Sequence, residues 1–501
     1  MCKWLVLLAA AGAMHAAIIK GSVVENQTGK ALARTLVTIQ PLPGTQGPSG
    51  SVRTNTYGMF EFIELPAGGY VVHAARRGFM PAQYGQKNWR AAGQPIIVDK
   101  EQAVFLNVRL NRFSSISGMV VDENDVGLPQ HEVIAMSNVR PPRMLQKAQA
   151  DDRGVYRISG LDPGTYLVRT LGRPFEDGGY LPTFYRETAR VEEAGTVDAV
   201  LDSETTNIKV RPLPGKLFTI GGRVYPARDA IATVTLVSDS GRETLTTGEA
   251  FQFHSKAPGP YEILVESPAT RYTPPLGAYV AMSLEQRDIT DMRINLLPMA
   301  GVSFGFKNTQ GGRITDLSGI KIQYRRVDLA GEGPVETLKV TNGSAGLLPG
   351  RWQVMLVPSP AYVATDFQGP RGERPERGRA DGWNEITVTG PTLVAFVLSS
   401  KPGSITGSVT MGANDSAPGV PVYLEAYDEV NRKRVVDLRT MRTDLRGKYS
   451  FDGLAPGTYR VVATFEYQAP LTSDIDAMRP KVITVEEGRE LQLDLELWSI
   501  R

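Results

Sequence analysis

Histidine and cysteine are nearly absent: 501 residues contain one cysteine, Cys2, and four histidines, His15, His73, His131 and His254. Cys2 precedes the apolar stretch Trp4 to Ala11. With Lys3 as its positive start and Ala11, Gly12 and Ala13 as small residues at its end, residues 1–16 read as an export signal. An exported chain that loses this segment keeps no cysteine. It then has no disulfide framework, no thiol nucleophile and no thiolate metal site. Beyond residue 16 no apolar run is long enough to span a bilayer, so no transmembrane segment is expected in the mature chain. A single-signed charge excess is missing too: 55 Lys and Arg against 53 Asp and Glu leave a formal net charge of +2. Nothing in that balance marks a nucleic-acid partner.

The motifs of common hydrolases are also missing. None of the histidines opens a zinc-protease pattern, and no nucleophile elbow, P-loop or dinucleotide fingerprint occurs. The expectation is a protein that is not an enzyme and holds no metal and no cofactor. The pair Asp122 and Asp125 lacks the further carboxylates that calcium demands and reads as a polar hairpin loop. The basic run 371–379 is interrupted by Glu373 and Glu376 and reads as a loop.

Turn formers, by contrast, are abundant, with 51 glycines and 34 prolines, and no stretch keeps a helical period beyond two or three turns. They fall in a repeated order. Thr443 to Thr464 reads TDLRGKYSFDGLAPGTYRVVAT: Asp444 and Gly447 frame a tight loop, Tyr449 and Phe451 alternate with polar residues, Pro456 and Gly457 turn the chain, and Tyr459 opens a second strand. The same order appears at Asp151 to Thr170 and at Asn55 to Ala74, with weaker copies around Phe251 to Tyr261 and Leu347 to Trp352. The turn glycines Gly68, Gly164, Gly259, Gly350 and Gly457 recur at separations of 96, 95, 91 and 107 residues. That period is the size of a domain with its own core.

Upstream of most copies lies I-x-G-x-V: Ile19, Gly21, Val23; Ile116, Gly118, Val120; Ile220, Gly222, Val224; and Ile405, Gly407, Val409, with a degenerate form near Met299 to Ser303. Together these motifs resemble the carboxypeptidase regulatory-like domain, a relative of transthyretin-like, starch-binding-like and collagen-adhesin B-type modules. The resemblance implies an all-β chain, a tandem array of about five seven-stranded antiparallel β-sandwiches of prealbumin-like or Ig-like type. The expected division is a signal segment at 1–16 and sandwiches at 17–113, 114–214, 215–298, 299–400 and 401–501, the third and fourth divergent. Short connections such as Asn111 to Ser115 predict an elongated rod.

Aromatic residues on the irregular stretches after each turn are the remaining candidates for function. Tyr84 and Trp89 lie in the first, and Tyr180, Phe184 and Tyr185 in the matching place of the second. Flat rings with polar edges stack on sugars at many recognition sites, and they equally cap the open end of a sandwich or pack on a neighbour. Two readings follow. One is an exported, non-catalytic binding or adhesion protein for a glycan or another cell-envelope polymer, located in the periplasm, at the cell surface or outside the cell. The other is a structural spacer or accessory scaffold for a cell-envelope protein such as an outer-membrane transporter or a peptidase.

Overall fold

A computed structural model describes residues 16–500 except 140–141, 176–177, 226–230, 272, 318, 340–342, 360, 371–378, 413–414 and 430–431. The export segment and most of the basic run therefore lie outside the described residues, apart from Ala16 and Arg379. The chain is all-β, with one short α-helix, Thr472–Ala477, and one 3-10 turn, Val191–Glu193, among the described residues.

Among the described residues the strands form sheets that face each other in pairs around five large apolar cores, with two smaller clusters beside the second and the fifth. In the first, Ala17–Glu25 lies between Met59–Leu65 and Ala103–Leu110, while Leu36–Pro41, Gly50–Arg53 and Gly68–Ala75 build the facing sheet. Alternation explains the burial: Ile19 and Val23 point inward to meet Val37, Tyr70 and Val72 from the other side. The same layout returns around Ser114–Met119, Phe218–Tyr225, Ala300–Asn308 and Gly403–Met411. The degenerate fourth copy thus supplies its central strand without the I-x-G-x-V spelling.

In all five the central strand pairs parallel with the last strand of its sandwich, as in Gly21 opposite Leu106 and Phe304 opposite Val394. The other strand pairs of these sheets are antiparallel, as the sequence led one to expect. The intervening chain crosses to the other sheet and back, which gives the long connection that parallel neighbours need. This pairing accounts for the middle glycine. A Cβ on Gly21, Gly118, Gly222 or Gly407 would come within 2.3, 1.8, 2.2 or 1.9 Å of the carbonyl oxygen of Leu106, Ile208, Met292 or Leu493.

The loop glycines have a different cause. Gly58, Gly154 and Gly447 adopt φ of 73°, 79° and 75°, and each passes its carbonyl to the amide of Val23, Val120 or Val409 at 2.8–2.9 Å. The acidic or amide residue ahead closes the loop: Asp444 Oδ1 accepts from the amides of Arg446 and Lys448, both at 2.8 Å, and Asp151 and Asn55 do the same. After the second turn, Tyr70, Tyr166, Tyr261 and Tyr459 donate their hydroxyls to the carbonyl four residues back at 2.7–2.8 Å. Trp352 makes the equivalent bond through Nε1 to Leu348. All five rings are buried.

The array is not the elongated rod expected from its short connections. Successive sandwiches meet through Arg112 and Asp202, Arg169 and Asp239, Arg242 and Asp328, and Arg379 and the Thr458 carbonyl. The first then meets the fifth. Ala92 donates to the Phe465 carbonyl at 2.8 Å, Gln468 donates to the Arg90 carbonyl at 2.6 Å, and Arg442 reaches both Gln83 Oε1 and the Gly93 carbonyl. Lys87 and Arg90 pair with Glu466 and Asp474 across the same seam. A short connection restricts each bend without making it zero, and here the bends bring the two ends of the array together.

Candidate functional site

The irregular segment 76–95 leaves the Gly68–Ala75 strand and returns as the small strand Ala82–Gln83. Its conformation is held by its own amides. Gln86 Oε1 accepts from the Gln83 amide, Gln83 Oε1 from the Gly93 amide, and Asn88 Oδ1 from the amides of Arg90 and Ala91. Tyr84 is fixed by backbone bonds to Val72 and Gln94 at 2.9 Å, and its ring leans partly on the first core. Trp89 is half-buried, with its carbonyl accepting from Gln468 Nε2.

Tyr84 and Trp89 line one cleft of about 320 Å³. Gln83, Gln86, Lys87 and Asn88 come from the same segment, while Asn107 and Arg109 come from the last strand of the sandwich and Asn26 and Asn111 from strand ends nearby. Such a volume falls at the lower end of the usual range for ligand sites, roughly 300–1,000 Å³. Asn26 Nδ2 donates to Asn111 Oδ1 at 2.8 Å, which orients that pair. Among the described residues the side-chain amide of Asn107 and Asn88 Nδ2 have no hydrogen-bond partner and remain available to a ligand. Two charged neighbours are already committed. Glu25 lies below the usual carboxylate range because Thr28, then Arg112, hydrogen-bond to it, and Glu466 is the partner of Lys87. His73, opposite Gln83 in the sheet, is pulled below its ordinary value by burial and by the charge of Arg442.

The matching aromatics of the second sandwich are placed differently. Tyr180 is 8% exposed, edge-on to His131 at 5.6 Å, and joins the second core. Phe184 is 3% exposed and packs with Ile134, Met136 and Leu167 beneath the Arg169 guanidinium. Tyr185 is half-buried against the second core. The second stacking platform expected at these three residues therefore offers no open pair of rings. Its segment is tied down by the bridges Arg169 to Phe184 and Tyr180 to Pro214.

Asn26, Asn107, Arg109 and Asn111 carry no ring and lie away from residues 84 and 89 in sequence, so no local pattern joins them to the cleft. The period-two outward positions of the last strand carry Asn107 and Arg109, and that pattern alone marks only a solvated face. Among the described residues, no group of three or more His, Cys, Asp or Glu is placed to hold a metal ion, and no helix is long and apolar enough to cross a membrane.

No curated protein matches this chain. Among solved structures it is similar to the minor pilin GBS52 of Streptococcus agalactiae, with 16% identity over 42% of this chain and 100% of that one and a TM-score of 0.24. The shaft pilin SpaA of Lactobacillus rhamnosus GG gives 13% identity, 39% and 97% coverage and a TM-score of 0.24. The Bacillus anthracis TIE protein gives 10%, 96% and 74%, with a TM-score of 0.18. At these TM-scores the likeness is loose. Residues 404–497 match the family described as the carboxypeptidase regulatory-like domain, which places the family similarity on the fifth sandwich.

Proposed function

We propose that this is an exported, non-catalytic, multidomain binding protein that takes a glycan or another extended cell-envelope polymer in the cleft of its first sandwich. The division into 17–113, 114–214, 215–298, 299–400 and 401–501 belongs to this reading, supported by the five cores. The observation that carries the function is the meeting of Tyr84 and Trp89 with amide side chains from three separate parts of the first sandwich. Aromatic faces supply stacking area, and the amides supply donors and acceptors for hydroxyl-rich rings. One half-buried platform of this kind binds weakly, since stacking competes with water and ordering the ligand costs entropy.

The test is retention of the full chain on insoluble polysaccharides and on isolated cell-wall material. Wild type is retained; Trp89→Ala and Tyr84→Ala lose retention at temperatures where circular dichroism shows both variants folded; Tyr185→Ala changes stability and leaves retention intact. A second reading, that of a structural scaffold, is favoured by the seam between the first and fifth sandwiches, where Lys87, Arg90 and Arg442 are all engaged. If no material retains the wild-type protein, the scaffold reading replaces the binding one.

A further inference from the structure

Resting on the binding reading, we infer that the polymer is acidic, a glycan bearing carboxylates, and that Arg109 is the residue that selects it. The cleft lining contains two cations, Lys87 and Arg109, and no Asp or Glu. Their situations differ. Lys87 is bonded at 2.6 Å to Glu466, a nearly buried carboxylate of the fifth sandwich, so its charge is largely answered. Arg109 is exposed and has no carboxylate partner among the described residues, where its side chain donates one long hydrogen bond, to the Asn26 carbonyl at 3.5 Å.

The nearest acid in sequence to the Asn26 end of the cleft is Glu25, which is 5% exposed and held by Thr28 and Arg112. It does not neutralise Arg109. A planar guanidinium beside free amide groups suits a carboxylate oxygen pair, because it presents two parallel N–H donors that a lysine cannot match. A neutral sugar would gain from the two rings and the amides alone. A sugar acid gains the guanidinium as well, and the unanswered charge then becomes a selector for acidic chains over neutral ones. The same carboxylate would find no second acid to repel it within the lining.

Affinity electrophoresis of the full chain in gels containing a xylan free of uronic acid, polygalacturonate or dextran sulfate tests this directly. Wild type should be retarded more strongly by polygalacturonate than by xylan. Arg109→Gln should lose about tenfold in affinity for polygalacturonate at low salt and nothing for xylan, with Arg109→Lys recovering only part. Raising the salt should erase the difference between acidic and neutral gels. Retardation by xylan and polygalacturonate alike, dependent on Trp89 and indifferent to Arg109, would leave the binding reading standing and overturn the acidic preference. Retardation by dextran sulfate that survives both Trp89→Ala and Arg109→Gln would also overturn it, because the attraction would then be diffuse charge. Absence of retardation in every gel would sink both readings together.

Discussion

Removing one hydroxyl, in Tyr459→Phe, isolates the bond that recurs at the second turn of every sandwich. The Tyr459 hydroxyl donates to the Ala455 carbonyl at 2.8 Å, and both residues are buried. Phenylalanine keeps the ring, its place in the fifth core and the Arg379 guanidinium stacked 4.3 Å from its centre. What is lost is a net hydrogen bond worth about 1 kcal/mol, plus part of the cost of leaving a buried carbonyl unpaired, about 1–2 kcal/mol altogether. Tyr459→Ala also removes the ring and should cost about 3–5 kcal/mol. A chain with five cores does not unfold in one step, so the effect must be read locally. Hydrogen exchange followed by mass spectrometry on peptides spanning 448–463 should show opening about 5–30 times more frequent in the phenylalanine variant, with peptides of the second sandwich unchanged. Tyr57→Ala, at a ring 78% exposed, provides the comparison and should change nothing measurable. Equal protection in Tyr459→Phe and wild type would refute the view that these turns are fastened by their aromatic hydroxyls.

The fifth sandwich holds a fully buried carboxylate, Glu425, bonded to Arg434, Arg460 and Thr472; Glu425→Ala should cost about 3–5 kcal/mol because two arginines lose their partner, and thermal unfolding of the full chain would register it as a loss of the fifth sandwich first. His131 is buried and pushed down to about 4, first by burial and then by the charge of Arg173. The unfolded chain therefore binds the extra proton first, so stability is full above about pH 6.5 and falls toward pH 4 by up to about 3 kcal/mol, a decline that His131→Phe should flatten in pH-dependent melting of the second sandwich. The seam between the first and fifth sandwiches depends on Arg442, so Arg442→Ala should increase the radius of gyration measured by small-angle scattering, and an unchanged radius would mean the seam stands without it.

The parts of the fold legible in the sequence were those fixed by local backbone demands. Asp444 and Gly447 announce a loop because only certain residues close it, and Tyr459 follows Gly457 because the ring must fold back over its own turn. These constraints span a few residues, so one copy is enough to recognise and five make a period. The parallel pairing of Ala17–Glu25 with Ala103–Leu110 left a single trace, the bare middle glycine, whose partner 85 residues away carries no signature of its own. The seam between the ends left none, since Arg90 with Asp474 and Arg442 with Gln83 are ordinary surface residues until the bends of the array bring them together. Tyr180 and Phe184 read as loop aromatics because the bridges that tie them down, to Pro214 and to Arg169, span irregular stretches with no local pattern. For the cleft, the sequence offered the two rings and hid the amides and Arg109, which arrive from strands selected for pairing.

Hydroxyl-radical footprinting with and without cell-wall polymer addresses the central claim most directly, because it reports where the ligand sits without assuming its identity. Oxidation of Tyr84 and Trp89 should fall together when polymer is added, while Tyr57, an exposed ring of the same sandwich, reacts as before. Protection that spares Tyr84 and Trp89 and appears at other exposed residues would contradict the cleft as the binding site.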